Sequence, residues 1–278
     1  MNIQLSDHFN YKKLFLFTLP SVVMMVFTSV YCVVDGFFVS NFVGKTAFAA
    51  INLIMPFIMI LGGIGFMIGT GGSALVSYTL GTGDKEKANR YFSMMVYFTI
   101  LAGILLTVLG IIFVRPMAEL FGADESMMDT CVLYGRIVIA FNAAYMLQNI
   151  FQSFFVVAEK PRLGLIVTIA AGVTNMVLDA LFVGVFKWGI VGAALATGIS
   201  QSIGGLLPLL YFALPNNSPL QLTRTRFELA PLLKASSNGC SELMSNVASS
   251  LIGIVYNYQL MRLGGENAVA TYGVLMYI

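Results

Sequence analysis

The feature that most constrains this chain is a series of apolar stretches longer than a soluble core can use. They fall at roughly 14–43, 46–79, 91–114, 126–157, 163–186, 189–214 and 231–262, and another opens near 267. A bilayer hydrocarbon core about 30 Å thick takes about 20 apolar residues per helix, so each run is read as a membrane span. Runs longer than that minimum predict tilted helices or helices that extend past the lipid. The remaining composition agrees. Only 10% of the 278 residues are charged against 58% hydrophobic, with a mean hydropathy of +0.85. A soluble domain carries roughly 25% charged residues to cover its surface. The net charge of +2 gives no reason to expect nucleic acid as a partner. The polar start, Met1 to Lys13, and the length of the run after it argue against a cleavable signal peptide.

Charge alternates between successive loops. With the N-terminus inside, the inner segments hold Lys12, Lys13, Lys85, Lys87, Arg90, Lys160, Arg162, Arg224, Arg226 and Lys234; the outer ones hold only Lys45, Arg115, Lys187 and Arg262. Ten inner basic residues against four outer ones follow the positive-inside rule and predict a cytoplasmic N-terminus. The longest loop, 215–230, is polar and basic, and the pattern restarts after it. VGKTAFAAINLIM and the later GGENAVATYGVLM share a shape, with Gly44, Ala47, Ala49 and Met55 answered by Gly265, Ala268, Ala270 and Met276. Internal duplication is common in transporters. The reading is an all-α polytopic bundle: a six-helix lobe over 1–214, an inner loop over 215–230, and from 231 to 278 the first one to two helices of a second, repeated lobe. A second copy of six spans would continue beyond Ile278.

Few ionisable side chains lie inside the runs: Asp35, Arg136, Asp179 and Glu242. An Asp or Arg at a span centre costs about 2.5–3.5 kcal/mol on insertion scales, so each must face protein or a wet cavity. Asp35 and Asp179 each lie eight residues from the outer end of their span, and Thr197 and Tyr134 lie eight residues in from where theirs enter. At 1.5 Å per residue this puts all four roughly 12 Å below the outer boundary, at the level of one chamber. Asn175 precedes Asp179 by four residues and shares its helix face. Its amide can satisfy a protonated acid or offer an oxygen to a cation; the competing reading is interhelical hydrogen bonding. A structural pair between Arg136 and one aspartate competes with a transport role for the acids. Pro20 and Pro56 mark potential bends, and the glycines of the second run, from Gly62 to Gly72, read as close helix packing. Cys32, Cys131 and Cys240 are far apart and read as buried thiols; His8 lies outside the membrane. No Walker motif, GxSxG, HExxH or metal-ligand cluster is present, so neither enzymatic chemistry nor ATP coupling is expected of this chain.

Four segments then resemble, in order and spacing, the multidrug and toxic compound extrusion (MATE) transporters, in their MepA-like branch: VVDGFFVSNFVGKTAFAAINLIMP (33–56), GTGGSALVSYTLGTGDKEKANRYF (69–92), NMVLDALFVGVFKWGIVGAALATGISQ (175–201) and SSNGCSELMSNVASSLIGIVYNYQLMRLGGENAVATYG (236–273). The resemblance implies twelve helices in two lobes around a central cavity, and a cell-membrane protein that is a monomer when complete. It implies antiport of organic, often cationic, small-molecule drugs against protons or sodium, with no cofactor beyond that coupling ion. By that resemblance Asp35, Asn175, Asp179, Thr197 and Tyr134 form the cation or proton site, with sodium at Asp35, Asn175 and Asp179. Glu242 matches an acid on the seventh helix that lines the substrate cavity. The chain departs from the family in ending where the eighth helix begins, and in carrying Arg136. A lipid-linked saccharide flippase of the same superfamily, a channel and a non-transporting subunit are the alternatives. A flippase cavity would be more basic than three buried acids and one base.

Overall fold

A computed structural model describes residues 10–276, all helix and connecting loop; His8 lies outside this range. The helices run α1 Tyr11–Phe38, α2 Lys45–Gly81, α3 Lys85–Leu120, α4 Glu125–Ala140, α5 Asn142–Val157, α6 Pro161–Asp179, α7 Gly189–Ala213 and α8 Leu229–Met276. Two of them change winding at one end. α1 continues as a π turn, Val39–Val43, and α6 as another, Ala180–Val185.

Several helices begin before their apolar runs because side chains cap them. Asp84 Oδ1 accepts the Lys87 N–H at 3.0 Å, and Asp124 Oδ1 does the same for Met127 at 3.0 Å. Each satisfies an otherwise orphaned first-turn donor. Pro161 opens α6, where its missing N–H costs nothing. Neither Pro20 nor Pro56 ends its helix.

The hydropathy pattern and the helices differ at two places. The run 126–157 is two helices, α4 and α5, meeting at Phe141 with a bend of 54°. There the Phe141 ring occupies the space above Gly198 of α7. Among the described residues, five helices are each long and apolar enough to cross a membrane, six with the bent pair counted as one span. The second difference is α8, which is absent from that set. Ser236, Ser237, Asn238, Ser241, Glu242, Ser245, Asn246, Asn257 and Gln259 interrupt its apolar positions. Cys240 is exposed on this helix, not buried, whereas Cys131 is buried and donates to the Ala50 carbonyl at 3.4 Å.

α2 is the centre of the bundle, and its glycines decide what approaches it. Gly62, Gly65 and Gly69 lie on one face against α5; a Cβ on Gly65 would meet the Met146 backbone at 2.9 Å, and one on Gly69 would meet Ile150 Cα at 3.2 Å. Gly63 and Gly71 turn to α8, where Gly71 rests on the Ala235 carbonyl and Gly239 on the Met67 carbonyl. Small residues at such spacing let backbones meet. At the end bearing Arg90 and Arg162, Phe92 stacks edge-on against Phe154 and Phe212, with ring centroids 4.8 and 5.0 Å away.

The two glycines matched between the repeated segments share a conformation. Gly44 precedes α2 with φ 116° and ψ 169°, and Gly265 breaks α8 with φ 61° and ψ −157°. Both values lie in a region essentially reserved for glycine. Nothing crowds Gly265 within 4 Å, so only its backbone angles resist a side chain. Gly265→Ala is expected to cost about 1–3 kcal/mol, while Gly184→Ala, also in open space but without positive φ, changes stability by less than about 0.5 kcal/mol. Paired thermal melts check this.

Candidate functional site

α1 packs along α6, with both π turns at the same end of the pair. Asp35 stands one turn before the first π turn, its carbonyl taking the Val39 N–H, and Asp179 is the last α-helical residue before the second. The two carboxyls are close neighbours, each acting on the other. Asp179 is wholly buried and Asp35 half-buried. Asp35 Oδ1, both Asp179 oxygens and Asn175 Oδ1 are buried without a hydrogen bond of acceptable geometry. A buried polar atom normally has a partner, and four orphaned oxygens on two neighbouring helices are costly. π turns recur at functional sites, and the winding change supplies the local irregularity here.

The surroundings of the pair are built from α1, α5 and α6. Gly172, on the face of α6 that bears Asn175 and Asp179, leaves room for the rings of Phe27 and Tyr31. Tyr31 contacts Cys32, and Cys32 lies close to Asp35. Tyr145 of α5 lies against Gly62 and is a neighbour of Asn149 and of Tyr31. Sequence reasoning missed Tyr31, Tyr145 and Asn149. Their polarity was visible, but a tyrosine in a span carries no penalty large enough to mark it. Asn142, Gln148 and Gln201 also bury an oxygen without a partner.

The other residues singled out from the sequence lie on α4, α7 and α8. Tyr134 is buried on α4 in the apolar cluster shared with α2 and α7. Thr197 is half-buried on α7, and its carbonyl accepts from Ser200 Oγ at 2.8 Å. Glu242 is exposed on α8, its carbonyl taking the Asn246 amide at 2.9 Å. Arg136 is exposed on α4 and is not among the groups acting on either aspartate. The structural pairing weighed for it is therefore not formed, because α4 turns that position outward. A cavity of about 640 Å³ lies elsewhere, between Pro20, Lys160, Arg162, Tyr211 and Asn217. Its α1 and α6 residues belong to the opposite ends of those helices from the π turns.

The sequence profile of the MatE family matches residues 20–181, more than half of the chain. The chain belongs to the MatE family. Curated relatives cover nearly all of it. The multidrug export protein MepA of Staphylococcus saprophyticus is 24% identical over 265 residues, which is 95% of this chain and 58% of the relative. The MepA of Staphylococcus aureus strain MRSA252 is 24% identical over 269 residues, with the same shares. The chain thus spans 58% of the length of these relatives. In fold it is similar to a multidrug resistance MATE transporter solved facing inward, with a TM-score of 0.84 at 21% identity over 89% of this chain and 57% of that one. An outward-facing structure of such a transporter matches with a TM-score of 0.83 at 22% identity over 94% and 58%. This MatE chain is therefore a multi-pass membrane protein with part of the family fold.

Proposed function

We propose that the complete protein is a secondary multidrug exporter that exchanges organic, often cationic, compounds for protons or sodium. The observation that carries this reading is the Asp35–Asp179 contact, with Asn175 one turn away and, among the described residues, no basic side chain acting on either acid. Two negative charges held together away from water repel strongly. One proton, or one monovalent cation held by the carboxyls and the Asn175 oxygen, relieves that repulsion. The oxygen-only donor set suits a hard cation such as sodium. Thr197 and Tyr134 complete the chamber when the helices shift, and Glu242 faces the drug cavity from α8.

In the proposed cycle the N-terminus is cytoplasmic, the protein is a monomer in the cell membrane, and the unit over 1–214 works against a second, repeated unit beginning near 231. Cation uptake from outside neutralises the pair, α1 bends near Pro20, and the drug-binding state is disfavoured. Loss of the cation inside resets the pair for the next drug. Coupling requires that cation and drug prefer different conformations; equal preference would shift nothing. The polar face of α8 suits the wall of an aqueous cavity better than a lipid-facing position.

The test is export of a cationic dye from proteoliposomes holding the complete protein, with a proton or sodium gradient imposed separately. Saturable flux driven by one gradient supports antiport; flux indifferent to both gradients overturns it. Asn175→Ala is expected to weaken the driven flux about 5–20-fold, within the span of ordinary coupling energies, while leaving passive leak unchanged. The dose–response to the driving ion checks this.

A further inference from the structure

We infer that the basic end of the bundle carries a binding site for the headgroup of an anionic phospholipid, built by the loop between α7 and α8. That loop is not free. The Gln221 N–H donates to Asn89 Oδ1 at 3.0 Å, and the Thr223 N–H donates to Ser93 Oγ at 2.8 Å. The Tyr97 hydroxyl donates to the Thr223 carbonyl at 3.4 Å, and the Glu228 N–H to Met94 Sδ at 3.3 Å. Leu220, within the loop, is fully buried. The loop is therefore laid along the first turns of α3, and it delivers Arg224 and Arg226 to Arg90.

The three arginines, with Thr225 and Glu228, line an open cavity of about 540 Å³. All three are exposed. Ion pairing among the described residues is found at Arg115 and Glu119, not in this groove. Three guanidinium groups facing one acid leave an excess of positive charge, and the planar fork of arginine fits phosphate oxygens in pairs.

What lies beside the groove selects a lipid over a soluble anion. From Arg90 the same face of α3 continues through Tyr97, Leu101, Ile104, Val108 and Ile112, each between 45% and 68% exposed. Phe227, 63% exposed, leans on Phe98 with ring centroids 6.5 Å apart. A headgroup held by the arginines would lay its acyl chains down this apolar stripe. A free phosphate would use the guanidinium groups and leave the stripe uncovered. The site is independent of the coupling chemistry at Asp35 and Asp179, which lie near the other end of the helices.

The experiment uses the complete protein in detergent micelles doped with phosphatidylglycerol or phosphatidylcholine, with retained lipid counted by native mass spectrometry. The wild type is expected to retain phosphatidylglycerol in preference. Removing arginines should reduce retention by about fivefold for each, in Arg90→Gln and in the double variant Arg224→Gln/Arg226→Gln. Lys12→Gln/Lys13→Gln, which removes as much charge from the same end, should retain lipid as the wild type does. Soluble glycerol phosphate at equal concentration should not displace it. Three outcomes overturn the inference: no preference for the anionic lipid, an equal loss in the lysine variant, or displacement by glycerol phosphate.

Discussion

Asp179→Asn in the complete protein abolishes cation-driven export while membrane insertion and yield stay at wild-type levels. The expectation follows from the contact between the two carboxyls. An amide at 179 keeps the size and one oxygen of the side chain but can neither take up a proton nor present a charge to sodium. The pair then has nothing to exchange with the gradient, and the coupling, ordinarily about 5–150-fold in such systems, is lost. The same change should not weaken the fold. It removes a buried charge whose oxygens have no partner, and an unpaired buried charge is costly. The variant is therefore expected to melt at or above the wild-type temperature. Driven export that survives the substitution would sink the assignment of Asp179, and a collapse of folding would show that the acid is structural.

The second large effect is in α2. Gly71→Ala places a methyl into the Ala235 carbonyl, where the helices meet backbone to backbone. No rotamer change can relieve that, because the obstructing atoms belong to the main chain. Forcing atoms into a packed contact costs typically about 1–3 kcal/mol, and here α8 must move off α2. A lower melting temperature and poorer recovery after size-exclusion chromatography are expected. Leu101→Ala, on the exposed stripe of α3, should leave both close to wild type. Equal melting of Gly71→Ala and wild type would show that the helices separate without cost.

The spans were legible because a bilayer enforces about 20 apolar residues per crossing whatever the helix packs against. Asp35 and Asp179 were legible for a related reason: an acid inside such a run is too expensive to be incidental. What escaped depends on neighbours. The break at Phe141 falls inside an unbroken apolar run, and nothing local in Phe141 or Asn142 announces it. The π turns after Asp35 and Asp179 leave hydropathy untouched. Arg136 looked like a buried base because its run is apolar, yet α4 directs it outward. Tyr31 became a neighbour of Asp35, and Tyr145 of Tyr31, only once Gly172 and Gly62 had made space for their rings.

The loop between α7 and α8 is held mainly by its main-chain amides, which donate to side chains of α3. Any residue but proline supplies such an amide. Over evolutionary time the letters at 221, 223 and 228 are thus free to drift as far as these bonds are concerned, while Asn89 and Ser93 are the ones that must persist for the loop to keep its course. Positions 224 and 226 can then follow the lipid composition of each host without disturbing the path of the chain.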